Sequence, residues 1–236
     1  MLIEFSGPPG SGKTSIAVLL RDRGFVTVRT EGDPVKKIWL VISCFLSAQF
    51  LPTFIVNYFF LKHQLCGEKK APRLALLAFF GAMSKSLRDK SKYYVRDQGF
   101  LQLGDWVNPK ISESPEDLAS VLRHISGQPD IVVLFSLPPS LSVERLAIRG
   151  DLSIWQEWSI KRGFASVEER MEFQRSKEWI KIELCRRLSV PCVLVKIDKQ
   201  GNIASIIEIT NNDSISNEKK RVLNELTLGI KESWKG

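Results

Sequence analysis

The sequence predicts an α/β fold, a three-layer α/β/α sandwich built on a parallel sheet of five strands. Three observations favour this class. Five short β-type runs alternate with helical segments along the chain, and a glycine-rich loop connects the first run to the first helix. The fourth run, residues 130–136, is almost wholly apolar, as strands are when helices cover both faces of a parallel sheet. A chain of 236 residues is long enough for one such domain with additions.

The glycine-rich loop is the most specific motif in the chain. Residues 7–14 read GPPGSGKT, a complete G-x-x-x-x-G-K-S/T pattern, and a helical run follows them as far as Gly24. Its glycines let successive backbone N–H groups surround a polyphosphate, Lys13 reaches the β- and γ-phosphates, and the Thr14 hydroxyl binds Mg²⁺. The following helix directs its positive N-terminus at the same anion. The motif therefore predicts a nucleoside-triphosphate site formed by Gly7, Pro8, Pro9, Gly10, Ser11, Gly12, Lys13, Thr14 and the adjoining Ser15.

The charge of the chain agrees with an anionic ligand without identifying it. Lys and Arg number 34 against 26 Asp and Glu, which gives a formal net charge of +8. This excess suits a polyphosphate, and equally an anionic membrane surface or a nucleic acid. The basic residues are spread along the chain with no run of five. The pattern therefore does not favour direct binding of nucleic acid.

Cysteine spacing and the first residues bear on the cellular compartment. The four cysteines have no CxxC or Cys/His spacing of a metal site, so we expect reduced thiols. The first residues do not resemble a basic and then apolar signal peptide. Both observations lead us to expect a cytoplasmic protein.

Residues 38–61 form the most apolar stretch, with no charged residue in 24 positions. Their length would allow a membrane span. A single span, however, would separate the first strand from the other strands of one sheet. Pro52 would interrupt a spanning helix, and Gln49 and Asn57 would be left unsatisfied by lipid. The favoured interpretation is a buried helix pair; a helical hairpin at a membrane or partner surface and a true span remain the alternatives.

Asp97 is the first candidate catalytic residue outside the loop. It ends the third β-type run, residues 92–96. If that strand lies beside the first one, a carboxylate at its tip is where a group that organises Mg²⁺ or accepts a proton is needed. The alternative is that Asp97 caps a following helix.

Arg145 and Arg149 are the second candidate group. They lie four residues apart in a short helix at 141–149 and therefore share one face. Two guanidinium groups on one face can bind phosphate oxygens, although they could also form a solvated basic face. Residues 150–165 follow, rich in tryptophan and containing Arg162. We expect this segment to be a mobile cover over the site, or else a segment whose aromatic rings pack against the core.

The remaining elements are scaffold. Ser114 and Pro115 mark the start of one helix, and Ser166 with Glu169 forms a capping box for a long helix that runs to about residue 188. After a fifth strand at 192–197, the sequence predicts a helix that begins at Asn202. The predicted organisation is a domain at 1–210 with a helical insertion at about 35–90 and a lid at about 150–165, and then a linker with an appended C-terminal helix at 211–236.

This order of elements resembles the P-loop nucleoside and nucleotide kinases, and their thymidylate-kinase-like branch most. The resemblance extends over residues 1–209, although its specific motif is the loop at 7–14. It implies the sandwich fold of the P-loop nucleoside triphosphatases (NTPases), with ATP as phosphoryl donor and Mg²⁺ as the metal ion.

The resemblance also implies roles for individual residues. Asp97 matches the acidic member of an acidic–arginine pair that serves the acceptor and Mg²⁺, although Gln98 stands where these kinases usually have arginine. Arg145 and Arg149 match the position before the lid, and Arg162 falls within the lid. The predicted catalytic residues are Lys13, Asp97, Arg145, Arg149 and Arg162, and the predicted metal ligands are Thr14 and Asp97.

The function predicted on this basis is phosphoryl transfer from ATP to a small acceptor. A nucleoside, a nucleotide, and a sugar or lipid-linked compound all remain open as the acceptor. The alternative is an ATPase or nucleotide switch that acts on a protein or membrane-associated partner through residues 38–62, and a third class is a membrane-anchored binding protein. Peripheral membrane contact and a homodimer are left open as further partners.

Overall fold

A six-stranded sheet organises the fold. The computed structural model describes residues 1–22, 24–27, 48–64, 78–79, 81–82, 85–86, 93–97, 101, 114–125, 127–209 and 216–233. The strands are β1 (Leu2–Ser6), β2 (Val26–Thr27), β3 (Tyr94–Asp97), β4 (Ile131–Ser136), β5 (Cys192–Ile197) and β6 (Ile203–Glu208). Their order is β2-β3-β1-β4-β5-β6, and every neighbouring pair is parallel except β5 with β6. The five predicted parallel strands are confirmed.

Helices cover both faces of the sheet. They are α1 (Lys13–Asp22), α2 (Phe50–Gln64), α3 (Pro115–Arg123), α4 (Pro139–Ile148), α5 (Leu152–Ile160), α6 (Val167–Ser176), α7 (Glu178–Arg187) and α8 (Asn217–Ser233). Alternate residues of β4 enter two separate cores: Val132 and Leu134 pack with α3 and α7, whereas Val133 and Phe135 pack with α1 and α8. Successive side chains of a strand point to opposite faces of the sheet, so the two cores lie on its two faces. The sheet with a helical layer on each face is the predicted three-layer sandwich.

The appended C-terminal helix is part of this packing. The residues of α8 that face α1 are fully or almost fully buried: Val222, Leu223, Leu226 and Ile230. Since α1 begins at the phosphate loop, α8 supports the element that carries the loop. The predicted linker before α8 lies largely outside the described residues.

The predicted helix from Asn202 is wrong, because residues 203–208 form strand β6. A tight turn precedes it, in which Asp198 Oδ1 accepts a hydrogen bond from Asn202 N at 2.8 Å and Asp198 N donates to Asn202 O at 2.9 Å. This turn returns the chain along the free edge of β5. Isoleucine favours a pleated strand, and backbone pairing with β5 outweighs the helix-like spacing of the isoleucines.

The predicted long helix from Ser166 is interrupted. The Ser166 half of the capping box is confirmed, since Ser166 Oγ accepts from Glu169 N at 3.1 Å, whereas Glu169 Oε2 accepts from the N–H of the preceding residue, Ala165, at 2.6 Å. The helix ends at Ser176, however, and α7 begins at Glu178, with Lys177 between them. The two halves have different partners, since α6 packs on α4 whereas α7 packs on α3. A single straight helix would not reach both.

Helix α2 is the described half of the apolar stretch, and residues 38–47 lie outside the described residues. It begins at Phe50, so Pro52 stands in its first turn, where proline is tolerated. Phe50 and Leu61 are buried, and they face inward. The opposite side exposes Leu51, Ile55, Val56 and Phe59. Within the described part of the chain, no helix combines the length and the apolar character that a membrane crossing requires.

Candidate active site

The phosphate loop joins β1 to α1 at the carboxyl edge of the sheet, between the neighbouring strands β3 and β4. Its first glycine passes directly beside the end of β4: a Cβ at Gly7 would lie 2.7 Å from the carbonyl oxygen of Phe135. Gly12 has φ +80°, a conformation that side chains other than glycine rarely adopt. The glycines that the motif requires are therefore also required by the geometry.

Lys13 lies inside the loop. Its side chain is buried, and its ammonium donates to Gly7 O at 3.0 Å, to Pro8 O at 2.7 Å and to Ser11 Oγ at 2.9 Å. Lys13 is also the first residue of α1, so its positive charge is added to that of the helix N-terminus. The loop is thus a compact basic element, of the kind that binds phosphate with backbone N–H groups and one ammonium.

Helix α4 holds the loop from outside. Ser142 Oγ donates to Pro9 O at 2.7 Å, and Arg145 Nη1 donates to Gly10 O at 2.7 Å. Both donors lie on one face of α4, because they are three residues apart. The carbonyl groups of two successive loop residues therefore point towards α4. The sequence analysis missed Ser142, although its position one turn before Arg145 was a usable signal.

The two candidate arginines of α4 have different surroundings. Arg145 also approaches the turn before β6, where its Nη2 lies 3.4 Å from Gly201 O. Its guanidinium therefore connects the phosphate loop to that turn. Arg149 is about half exposed and lies 3.5 Å from the carboxylate of Asp151. Both arginines line the same cavity as the loop.

This cavity has a volume of about 760 Å³, within the range of ligand sites. The phosphate loop and the start of α1 form one wall. Helices α4 and α5 contribute the rest of the described lining, which combines charged and apolar side chains: Arg145, Leu146, Ile148, Arg149, Asp151, Ile154, Trp155 and Trp158. Helix α5 of the predicted lid segment therefore lines the same cavity as the loop.

Arg162 lies near the end of the predicted lid segment, and Arg170 follows it in α6. Arg162 follows α5 in an exposed turn and is not among the described residues that line the cavity. Arg170 is buried and stacks over the ring of Trp155, with its Cζ 4.8 Å from the ring centroid. Burial, together with the nearby charge of Arg162, lowers the pKa of Arg170 to about 10. Arg170 still carries a positive charge at neutral pH, and it packs behind a residue that lines the cavity.

Asp97 ends β3, and β3 pairs directly with β1, as predicted. In the parallel register, Asp97 lies opposite Phe5, two residues before the phosphate loop begins. The backbone of Asp97 is therefore at the sheet edge next to the loop. Its side chain lies outside what the structure describes, so its role stays a prediction.

A buried ion pair that the sequence analysis missed fixes this part of β3. Glu4 and Arg96 are almost fully buried, and Arg96 Nη2 lies 2.7 Å from Glu4 Oε2. Glu4 Oε1 also accepts a hydrogen bond from Leu101 N at 2.7 Å. Glu4 thus binds the side chain of Arg96 before Asp97 and the backbone of Leu101 after it. The sequence signal was a charged residue in the middle of the otherwise apolar first strand.

These features decide the fold. A glycine-rich phosphate loop connects the central parallel strand β1 to helix α1. Asp97, the last residue of the neighbouring strand β3, lies beside this loop at the carboxyl edge of the sheet. The chain has a P-loop NTPase fold. Its P-loop, comprising residues 7–14, opens on the cavity described above.

Detectable similarity to known proteins is confined to solved structures. No protein-family model matches the chain, and no curated protein sequence matches it. Among solved structures, a deoxyadenosine kinase from M. mycoides with bound dCTP is 16% identical with a TM-score of 0.41, and the match covers 97% of this chain and 100% of that chain. A thymidylate kinase from Ehrlichia chaffeensis is 15% identical with a TM-score of 0.34, and the match covers 97% of each chain. Both belong to the P-loop nucleoside and nucleotide kinases that the sequence resembles.

Proposed function

We propose that the protein is a P-loop kinase that transfers the γ-phosphoryl group of ATP to a small acceptor, a nucleoside or nucleotide in the first instance. One observation carries the proposal: the P-loop encloses the buried ammonium of Lys13 and opens on a cavity large enough for a nucleotide. Phosphoryl transfer requires mainly alignment and neutralisation of negative charge. The P-loop, the N-terminus of α1 and the arginines of α4 all line this cavity and provide positive charge to it.

The residues present fit a magnesium nucleotide. Mg²⁺ is usually held by one or two protein oxygens together with phosphate oxygens and water. Thr14 lines the cavity, directly after Lys13, and Asp97 ends the strand adjacent to β1. Thr14 would bind the ion, and Asp97 would hold a metal-bound water or accept the proton of the acceptor. Bound Mg²⁺ would neutralise the charge that develops on the transferred phosphoryl group.

The positively charged side chains have distinct proposed roles. Lys13 exchanges part of its bonding within the loop for the β- and γ-phosphates, since hydrogen bonds between charged partners are stronger than those to neutral carbonyls. Arg149 is the more available of the two arginines on α4, because Arg145 already donates to two backbone carbonyls. Arg162 would contribute only if the lid segment moves towards the loop. Its catalytic role is a proposal that depends on this motion.

A second candidate function has its own observation. The outer side of α2 exposes Leu51, Ile55, Val56 and Phe59, and a contiguous apolar surface can bind a partner. An ATPase or switch that acts on a protein, or at a membrane, through this surface is therefore the alternative. The same surface would carry the membrane contact or the homodimer that the sequence left open. The domain division and the cytoplasmic location also stay predictions.

Turnover of ATP in the presence of possible acceptors tests the proposal. Purified protein is incubated with Mg²⁺ and ATP, alone and with a panel of nucleosides, nucleotides and sugars, while ADP release and phosphorylated product are measured. We expect slow ADP release alone and strong acceleration by one class of acceptor, with product formed in equal amount to ADP. Release of ADP that no acceptor accelerates, but that a binding partner of α2 does, would favour the switch instead.

Two substitutions test whether Lys13 and Asp97 are required for the activity. Lys13→Ala should reduce turnover at least about a hundredfold, because it removes a charge aimed at the transferred phosphate. Asp97→Asn should reduce turnover while ATP still binds. Lys220→Ala, an exposed lysine on α8, is the control for a lost positive charge. Activity of Lys13→Ala near that of the unmodified protein would contradict the proposal.

A further inference from the structure

An aromatic cluster on helices α5 and α6 borders the P-loop cavity, and we define it as Trp155, Trp158 and Arg170. The two tryptophan rings lie 5.6 Å apart between centroids at an interplanar angle of 59°. The Arg170 guanidinium covers the ring of Trp155, 4.8 Å from its centroid. Both tryptophans line the cavity, and neither is among the residues expected to contact phosphate. The cluster therefore has no role in the proposed phosphoryl transfer itself.

The cluster is built as a fixed support for an exposed ring. Trp155 is only partly accessible and is held by Arg170, which is buried. The turn of helix that joins the two tryptophans ends at Ser159, whose buried hydroxyl donates to Trp155 O at 2.7 Å. Trp158 packs against Trp155 but remains 49% exposed. A large, half-exposed ring on a rigid support, in a cavity wall, is suited to stack on another flat ring.

The geometry of the cavity limits what that other ring can be. A triphosphate bound by the P-loop would occupy the wall formed by residues 9–15, which leaves its sugar and base in the rest of the same cavity. The α4 and α5 side chains that line the cavity together with Trp158 include the apolar Ile148 and Ile154 as well as charged residues. The apolar part of this lining favours the flat face of a base.

We propose that Trp158, supported by Trp155 and Arg170, is the stacking platform for the base of the nucleoside triphosphate held by the P-loop. This inference rests on the proposed function, because it requires a nucleotide in the P-loop. It adds that binding of the base depends on the lid helix α5, whereas binding of the phosphates depends on the P-loop. The two parts of the ligand can therefore be separated by experiment.

The test compares a nucleotide with a base-free polyphosphate. Isothermal titration calorimetry measures the affinity of the full chain for a non-hydrolysable ATP analogue and for inorganic tripolyphosphate, both with Mg²⁺. Trp158→Ala should weaken binding of the analogue at least about fivefold, the lower end of the loss of one base–aromatic stack, and leave binding of tripolyphosphate unchanged. Trp158→Phe should retain most of the affinity, because it keeps an aromatic face. Thermal unfolding of each variant checks that α5 is still folded.

Another exposed tryptophan, on α7, provides a matched control. Trp179 lies on α7, is 56% exposed and does not line the cavity, so Trp179→Ala should not change either affinity. Equal affinity of Trp158→Ala and the unmodified protein for the analogue would overturn the platform while leaving the kinase proposal intact. An equal loss for both ligands would also overturn it, because the ring would then act on the loop and not on the base. If the unmodified protein bound neither ligand, the proposed function would fail, and the platform with it.

Discussion

Ser142 shows how a single side chain outside the P-loop controls the loop. Its hydroxyl is fully buried and donates to the carbonyl of Pro9, which lies 133 residues away in the sequence. Together with Arg145, it fixes two successive loop carbonyls against α4. A loop held from outside has less conformational freedom to lose when a phosphate binds, and such preorganisation increases affinity.

Ser142→Ala tests this function of the α4 face. Loss of one buried hydrogen bond should lower the free energy of unfolding by about 1 kcal/mol. We also expect weaker binding of tripolyphosphate, by a few-fold, because the loop becomes less ordered. Ser140→Ala removes an exposed hydroxyl of the same helix and should change neither quantity. Unchanged affinity of Ser142→Ala, together with lower stability, would show that the tether is structural only.

The candidate residues differ in how far the sequence could identify them. Lys13 and Thr14 belong to a local motif whose spacing is sufficient to find them. Glu4 and Ser142 act through contacts between segments about a hundred residues apart in the sequence, and the local signals at these two positions do not reveal those contacts. Arg145 was found for its charge, but the structure adds that its guanidinium bonds to the P-loop backbone.

Secondary-structure elements also differ in whether the sequence could predict them. Those with a local sequence signal were predicted, and those that depend on tertiary packing were not. Helix α3 was predicted at its correct start, because Ser114 accepts a hydrogen bond from Asp117 N and Pro115 occupies the first turn. Strand β6 was predicted as a helix, because its conformation depends on the free edge of β5. The end of α6 at Ser176 also depends on packing, since α6 and α7 lie against different helices. Local signals thus predicted where helices begin and which residues cap them. They did not predict the conformation of β6 or the end of α6, because both depend on tertiary packing.

Substitutions on helix α8 test whether this helix stabilises the core. Leu226 is fully buried where α8 packs on α1, whereas Leu228 on the same helix is 55% exposed. Leu226→Ala should lower the free energy of unfolding by about 2–5 kcal/mol, because it removes buried methyl groups and leaves a cavity. Leu228→Ala should change it by less than about 0.5 kcal/mol. Urea unfolding measures both, and equal small effects would mean that α8 does not contribute to the core.

At the scale of the whole molecule, the site is assembled from both halves of the chain. The P-loop and the strand that ends at Asp97 come from the first hundred residues, whereas α4, α5 and the turn before β6 come from the second half. The sheet order brings them together, since β1 lies between β3 and β4 and its carboxyl end carries the loop. Ligands of open α/β sheets bind at this edge. The sequence predicted a site at this edge for the same reason, and ligand binding there stays a prediction.

The central claim is that the P-loop binds the phosphates of a nucleoside triphosphate. A crystal structure of the full chain with a non-hydrolysable ATP analogue and Mg²⁺ tests it most directly. The account predicts phosphate oxygens within hydrogen-bond distance of the backbone N–H groups of residues 10–15 and of Lys13 Nζ, with the base between the P-loop and Trp158. A nucleotide bound elsewhere on the protein, with the P-loop unchanged at saturating concentration, would contradict it.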